Sequence, residues 1–186
     1  MHLLKGNRFI IENVLEELNE PGEWCLDTQT GTVYFWPPED GGEVVVAVSD
    51  RLFELCGSEE KPIHHVHVRG LRMTQTLSPF PEHLHPSFHS PCVRGEAIRL
   101  EHAEDCVIEQ NVIHEVGGDA VRLQGYTARN HVVNNDIYHT GSAGISFASD
   151  AEGNTHTWAD PDDLIRRAAR YPRSVENLIA HNRIHH

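Results

Sequence analysis

Residues 111–114, Asn-Val-Ile-His, return in altered form as Asn-Asp-Ile-Tyr-His at 135–139 and as Asn-Arg-Ile-His-His at 182–186. The first two asparagines are 24 residues apart (135 minus 111), and the third follows 47 residues later (182 minus 135), close to two periods. Self-similarity at roughly 20 to 50 residues is typical of repeat proteins. The spacing therefore predicts a stack of similar structural units.

Aligning the chain on this asparagine brings apolar residues into columns with the period of two expected of strands. One coil of about 23 residues cannot bury its inward face alone, whereas stacked coils pair in parallel about 4.8 Å apart. A leucine-rich repeat is the rival, but its L-x-x-L-x-L-x-x-N spacing is missing. The pattern predicts an all-β fold, a parallel β-helix. The columns are Ile108, Val132, Ile179; Ile113, Ile137, Ile184; Ile98, Val121, Ile145; with a weaker copy at Val66, Val68, Leu71, Met73.

The recurring asparagine suits such a stack because its amide both donates and accepts hydrogen bonds. Identical amides on neighbouring coils can bond to one another and to the turn backbone. We therefore expect a ladder of asparagine side chains along the stack.

The chain divides into an accessory β segment at 1–42 and coils at 43–186. The accessory segment contains a hairpin of Trp24–Asp27 with Thr32–Trp36, and a strand is expected at Glu43–Val48. Insertions at 76–96 and 149–175 interrupt the coils, and the second is expected to contain a short helix with Asp160 as its N-cap. Because the last coil has no polar cap, we expect the β-helix to be C-terminally incomplete, with its remainder or another copy covering the open coil.

Composition excludes several partner classes. The net charge of −13 disfavours binding to a phosphate backbone, so no nucleic acid is expected. No apolar run approaches a membrane span, and the first residues do not resemble a signal peptide. The four cysteines show no C-x-x-C pair, and Cys106 is expected as a small buried hydrophobe.

Two carboxylates are expected to meet on one face of the stack. Asp119 precedes its strand by two residues, and Glu96 takes the same place 23 residues earlier (119 minus 96). Two carboxyl groups this close repel, so one of them could act as a proton donor. Glycoside hydrolysis needs such a pair, one carboxyl to protonate the departing oxygen and one to attack or to activate water. Solvation of a turn is the plainer interpretation of Glu96.

Arginines and rings also fall into columns. Arg99 and Arg122 should stack on the outward side of the same strands, where they could bind sugar carboxylates or neutralise the nearby acids. His114, Tyr138 and His185 share a column, with His139 in the next, and could bind substrate near Asp119. Hydrogen bonding of these turn side chains to backbone is the alternative. No metal is expected, although the spacing His83-x-His85-x3-His89 is compatible with zinc.

Longer stretches resemble bacterial carbohydrate-active proteins with a right-handed parallel β-helix, a pectate-lyase-like solenoid, and look most like glycoside hydrolase family 141 and its relatives. The resemblance covers nearly the whole chain, although the same scaffold carries hydrolases, lyases and epimerases. The matching stretches are Asn13–Trp24, Asp27, Thr30–Thr32, Tyr34–Pro38, Val116–Leu123, Tyr138–Ser146 and Ser149–Asp150.

The resemblance implies a glycoside hydrolase acting on a plant or complex polysaccharide in an extracellular or periplasmic setting. It places two acidic residues on one lateral face, at Asp119 and Asp150, and implies no cofactor. At 148–150 this chain has Ala-Ser-Asp where relatives have Gly-Gly-Asp. Two alternatives stay open: a polysaccharide lyase on uronate-containing glycans, with calcium neutralising the acid, and a non-catalytic glycan-binding β-helix.

Overall fold

A computed structural model describes residues 12–78, 95–148 and 174–186. The chain forms two compact units, residues 1–45 and residues 46–186. The first unit contains a short 3-10 helix, Leu15–Glu17, and an antiparallel hairpin of β1 (Trp24–Asp27) with β2 (Thr32–Phe35). The hairpin expected from the sequence is confirmed. Asp27 accepts a hydrogen bond from the Thr30 hydroxyl at 2.7 Å and so stabilises the turn between the strands.

The second unit consists of three parallel sheets built from four successive repeats of the chain. Each repeat supplies strands to all three sheets, which we name B, C and D. Strands follow one another in the order of the repeats within each sheet. The strands are β3 (Phe53–Cys56), β4 (Ile63–His64), β5 (His67–Arg69), β6 (Arg72–Thr74), β7 (Glu96–Glu104), β8 (Val107–Glu109), β9 (Val112–Val116), β10 (Asp119–Ala128), β11 (His131–Val133), β12 (Asp136–Thr140), β13 (Ile145–Ala148), β14 (Leu178–Ala180) and β15 (Arg183–His185).

The first repeat comprises β3 to β6, the second β7 to β9, the third β10 to β12 and the fourth β13 to β15. Sheet B has the order β13-β10-β7-β3 with β4 also paired to β7, sheet C the order β14-β11-β8-β5, and sheet D the order β15-β12-β9-β6. An all-β fold of stacked parallel sheets was predicted, and this arrangement is consistent with a β-helix.

The register of the sheets agrees with the columns expected from the sequence. Val132 pairs with Ile108 and Ile179, and Ile137 pairs with Ile113 and Ile184. Ile108, Ile113, Val132 and Ile137 belong to one buried core, which also contains the thiol of Cys106, whereas Ile179 and Ile184 of the fourth repeat are exposed. The weaker copy in the first repeat is confirmed as well, because its residues pair with the second repeat as Val68 with Ile108 and Met73 with Ile113.

The asparagine ladder is present. Asn111 Nδ2 donates to Asn135 Oδ1 at 3.0 Å, and Asn135 Nδ2 donates to Asn182 Oδ1 at 2.9 Å. The backbone N–H of Asn111 also donates to Asn135 Oδ1, and the backbone N–H of Asn135 donates to Asn182 Oδ1. Asn135 Nδ2 in addition donates to the carbonyl of Ile108 in the preceding repeat. A second ladder links Asn130 to Asn177 at 3.0 Å. These buried amides therefore satisfy one another's hydrogen-bonding groups and those of the backbone at the corners between the sheets.

The residue before each ladder asparagine has a left-handed backbone, which the repeat pattern did not show. The φ angles are 54° at Gln110, 57° at Asn134 and 57° at His181. A single residue in this conformation turns the chain sharply from one strand to the next. Since the asparagine that follows satisfies the corner's polar groups, non-glycine residues are held in this less favoured region.

The prediction of a strand at Glu43–Val48 is wrong, because the structure has no strand there. Val44, Val46 and Val48 are exposed. Their β-branched side chains favour extended backbone locally, but a strand also requires a hydrogen-bonded neighbour, and no described strand pairs with this segment. The helix expected after Asp160 and the histidines at 83, 85 and 89 lie outside the described residues.

Candidate functional site

The two carboxylates expected to stack are brought together at the start of sheet B. Glu96 opens β7 and Asp119 opens β10, and the two residues are partners in the parallel register. Both are buried, with 3% and 1% of their surface exposed. Asp150, the third predicted acid, lies outside the described residues.

Close backbone contact at the preceding turns holds these two residues in register. Asp119 N donates to the Gly95 carbonyl at 2.8 Å. A Cβ on Gly118 would lie 2.1 Å from that same carbonyl oxygen, so only glycine fits. Gly141 contacts the carbonyl of Gly117 in the same way, with a Cβ-to-oxygen distance of 2.2 Å. Glycines therefore set how closely the repeats approach beside the carboxylates.

Asp119 accepts hydrogen bonds from three other residues. Arg122 donates through Nη2 at 2.7 Å and Nε at 3.0 Å, both to Oδ2. Ser146 Oγ donates to the same oxygen at 2.5 Å, and the Ala143 backbone N–H donates to Oδ1 at 2.9 Å. The carboxylate is thus connected to both the third and the fourth repeat.

Glu96 is held by arginines from two other repeats. Arg51 Nε donates to its Oε1 at 2.6 Å, and Arg122 Nε lies 3.7 Å from its Oε2. Arg51 also bonds Glu54 at 2.6 Å. Burial lowers the pKa of Arg51, but the hydrogen bonds to Glu96 and Glu54 outweigh that effect and raise it. A chain of alternating charges therefore runs from Arg51 through Glu96 and Arg122 to Asp119.

Arg51 was not predicted to belong to this site, although the register of its strand contains a signal for it. Phe53 pairs with Ile98, and Ile98 pairs with Val121. Arg51 lies two residues before Phe53, just as Glu96 lies two residues before Ile98 and Asp119 lies two residues before Val121. Extending the alignment from β3 would therefore have placed Arg51 in the carboxylate column.

The arginine row was predicted to stack, and Arg99 does pair with Arg122 in the register. Arg122 binds the two carboxylates, as described, and Arg99 Nη2 donates to Glu101 Oε2 at 2.6 Å. Arg99 Nε is buried without a hydrogen-bond partner in the described structure. Of the two roles considered for the row, neutralisation of neighbouring acids is the one that these contacts show.

The ring column stacks on sheet D. His114 and Tyr138 have ring centroids 4.9 Å apart with an interplanar angle of 5°, and Tyr138 and His185 are 5.1 Å apart at 20°. Arg72 Nε donates to His114 Nε2 at 2.9 Å. Stacking covers the ring faces, and Nδ1 of His114 and of His185 is buried without a hydrogen-bond partner in the described structure.

His139 lies beyond this column, at a left-handed position with φ 49°, and its ring is 5.6 Å from that of His186. These rings belong to sheet D, whereas Glu96 and Asp119 begin strands of sheet B. No described hydrogen bond or ion pair joins the two groups. The expectation that the histidines gather beside Asp119 therefore stays a prediction.

A second charged cluster was not foreseen. Arg129 bonds both oxygens of Asp105, at 2.9 and 2.8 Å, and Glu104 at 2.9 Å, while the Tyr126 hydroxyl donates to Glu104 at 2.7 Å. The Tyr126 bond lowers the pKa of Glu104, with Arg129 adding to the effect, and Arg129 lowers the pKa of Asp105. This cluster caps the corner between sheets B and C. A residue-by-residue alignment shows only that Asp105 and Arg129 share a column.

In the part of the chain that the structure describes, no group of three histidine, cysteine or acidic side chains is arranged to hold a metal ion. The same residues include no helix that is long and apolar enough to cross a membrane. Cys25, Cys56 and Cys106 are free thiols.

Cys56, at the end of β3, provides a pH-dependent probe of this face. Desolvation raises the pKa of its thiol, and the carboxylates of Glu101 and Glu54 add to the rise while Arg99 opposes it. Because the thiolate is the reactive form, we expect alkylation by iodoacetamide to reach half its maximal rate at a higher pH than for free cysteine. Peptide mass spectrometry across a pH series measures this midpoint.

Glu101→Gln should move the Cys56 midpoint toward lower pH, since it removes one carboxylate. Cys106 is buried and should react only on unfolding. A Cys56 midpoint at or below that of free cysteine would contradict the expectation.

Comparison with known proteins returns no family model that matches the chain, and no curated protein or solved structure matches it.

Proposed function

We propose that this protein is a right-handed parallel β-helix that acts on a plant or complex polysaccharide by hydrolysing glycosidic bonds, with Glu96 and Asp119 as the reacting pair. One observation carries the proposal: two carboxylates from successive repeats lie in register at the start of sheet B. Hydrolysis of glycosides requires two carboxyl groups on opposite sides of the bond. The resemblance of the surrounding sequence to carbohydrate-active β-helix proteins supports the same chemistry.

The neighbouring side chains suit a site for a polar, hydroxylated ligand. Arg51, Glu54, Arg99 and Glu101 form a row of mixed charge on sheet B, with Arg51–Glu54 and Arg99–Glu101 ion pairs. Planar charged groups of both signs can donate to and accept from sugar hydroxyls. In this proposal the row binds the polysaccharide, and Ser146 and Ala143 orient the Asp119 carboxylate.

A second candidate is a glycan-binding β-helix without hydrolytic activity. Its specific support is that both carboxylates are buried and that Asp119 already accepts hydrogen bonds from several protein donors. A reacting carboxyl must reach the glycosidic oxygen or the anomeric carbon. If Glu96 and Asp119 stay enclosed when a glycan binds, their role is to join the repeats.

The two candidates are separated by measuring cleavage and binding on the same variants. We expect wild-type protein to release reducing ends from one or more members of a polysaccharide panel. Glu96→Gln and Asp119→Asn should each lower that rate by at least about 100-fold. Glu109→Gln, a partly exposed carboxylate on sheet C outside the charged row, is the matched control and should retain most of the rate. Circular dichroism checks that each variant is folded.

Binding is followed by affinity electrophoresis with the same panel. Retention on a glycan with no new reducing ends would establish the second candidate. A product with the ultraviolet absorbance of an unsaturated uronide would instead indicate a lyase. The absence of both binding and cleavage on every polysaccharide of the panel would overturn the proposal.

A further inference from the structure

Two adjacent histidines form a close pair at the corner between sheets B and C, outside the candidate polysaccharide site. The Nδ1 atoms of His64 and His65 lie 2.9 Å apart, and the two rings meet edge to face, with centroids 5.0 Å apart and an interplanar angle of 90°. Both residues are exposed. Two ring nitrogens from neighbouring residues therefore converge at one point of the surface.

The backbone of the first repeat produces this convergence. His64 ends β4, where it pairs with Glu104 of β7, and the His65 N–H donates to the Glu104 carbonyl at 3.2 Å. Successive side chains of a regular strand point to opposite faces. His65 has a left-handed backbone with φ 59°, which interrupts that alternation and lets the two rings meet on one side. Pairing with the second repeat holds a non-glycine residue in this less favoured region.

The charges around the pair favour a cation. Arg129 binds both Glu104 and Asp105, so two carboxylates and one guanidinium leave a net negative charge beside the histidines. The hydrogen bond from Arg129 lowers the pKa of Asp105 most, and the charges of His65 and His64 lower it further. Because this influence is mutual, the Asp105 carboxylate favours positive charge at the histidine pair.

The spacing of the two nitrogens matches that of adjacent ligands in a square-planar or tetragonal metal complex. With metal–nitrogen bonds of about 2.05 Å, two nitrogens at right angles around one ion lie about 2.9 Å apart. The Nδ1 atoms of the pair have this separation. Two ligands of a tetrahedral zinc ion would lie about 3.3 Å apart. Imidazole ligands in a tetragonal arrangement are typical of Cu(II) and Ni(II).

The pair can supply two protein ligands. Among the described residues, no third histidine, cysteine or acidic side chain is arranged to complete a group of three. Water must therefore fill the remaining positions, and nearby carboxylates can accept hydrogen bonds from such waters. In the hydrogen-bonded pair one Nδ1 carries a proton and the other accepts it. When an ion binds, the exposed rings turn until both Nδ1 lone pairs face it, and the proton moves to Nε2 of its ring through solvent.

We propose that His64 and His65 form a surface site for a divalent transition-metal ion, Cu(II) or Ni(II), which both Nδ1 atoms bind as adjacent ligands while water completes the coordination. The site belongs to the corner between the first two repeats. The inference does not depend on the proposed function, because neither Glu96 nor Asp119 takes part in it.

Chemical footprinting of the full chain, with CuCl2 alone as the probe, tests the proposal. Diethyl pyrocarbonate modifies an imidazole through a ring nitrogen whose lone pair is free, and peptide mass spectrometry reads each histidine separately. We expect CuCl2 to slow modification of His64 and His65 at least about tenfold. His131, an exposed histidine of β11 in sheet C, is the matched control and should keep its rate at the same CuCl2 concentration.

Single substitutions test whether the two rings act together. His64→Gln and His65→Gln should each raise at least about tenfold the CuCl2 concentration that half-protects the remaining histidine of the pair, because a single ring cannot chelate. His131→Gln should leave that concentration unchanged, and circular dichroism checks that each variant is folded.

Three results would overturn the proposal. The first is that CuCl2 protects neither His64 nor His65. The second is that His131 is protected at the same concentration as the pair, which indicates copper bound to single histidines. The third is that either histidine of the pair keeps its half-protecting concentration when the other is replaced, since the two rings would then not share one ion.

Discussion

Replacing Asn135 with alanine is expected to lower the free energy of unfolding by about 3 to 5 kcal/mol. The side chain is buried and accepts from both the backbone N–H and the amide of Asn111, each at 3.0 Å. It donates to the Ile108 carbonyl at 2.9 Å and to Asn182 Oδ1 at 2.9 Å. Alanine would leave these groups without partners inside the stack, where each costs about 1 to 3 kcal/mol. Urea denaturation followed by circular dichroism measures the loss.

Leu71→Asn is the matched control for the ladder, because Leu71 occupies the same position in the first repeat. Its backbone N–H already donates to Asn111 Oδ1 at 3.0 Å. An asparagine there can extend the ladder, so we expect stability to be unchanged or to rise by up to about 1 kcal/mol. A loss of less than about 1 kcal/mol in Asn135→Ala would show that water or neighbouring groups replace the amide, and that the ladder is not a main source of stability.

Gly118→Ala is expected to destabilise the protein by about 3 kcal/mol and to move the two carboxylates apart. The new methyl group would lie 2.1 Å from the Gly95 carbonyl oxygen, and a carbonyl in a paired backbone cannot move aside as a flexible side chain can. Relief of the clash requires the second and third repeats to separate here. That separation would break the 2.8 Å bond from Asp119 N to Gly95. Denaturant unfolding gives the stability, and a crystal structure gives the displacement.

Gly144→Ala is the comparison for Gly118→Ala. The nearest atom to a Cβ at position 144 is a side-chain methyl of Ile184, at 2.7 Å, which can rotate away. We therefore expect a smaller loss than in Gly118→Ala. Equal stability of Gly118→Ala and wild type would mean that the turn has room to adjust, and the close approach would not be what holds Glu96 and Asp119 in register.

The residues that build the stack could be predicted because each repeat obeys the same local constraint. An inward position must be apolar and a corner must have an amide, so Ile113 and Ile137, or Asn111 and Asn135, recur at a fixed spacing. Pairing of Glu96 with Asp119 follows from that register alone. The strand at 43–48 was predicted wrongly because its valines carry local propensity without the periodic context that marks a paired strand.

Side-chain partners could not be predicted in the same way. That Arg122 binds Asp119 and Arg99 binds Glu101 depends on rotamers and on distances of a few ångströms, which a column of residue types does not specify. Arg51 was missed because its position in the column holds an arginine, whereas the next two repeats have the carboxylates Glu96 and Asp119 there. The left-handed residues Gln110, Asn134 and His181 have no shared residue type, so no single letter of the alignment reveals them.

The sequence by itself determined the period of the repeats, the inward columns, the asparagine ladder and the register that sets Glu96 beside Asp119. These properties depend on repetition, and repetition is visible along the chain. Only the tertiary structure decided that both carboxylates are buried and bound by Arg51, Arg122, Ser146 and Ala143. Burial and ion pairing depend on which side chains of separate repeats meet in space, and that is fixed by the packing of the whole stack.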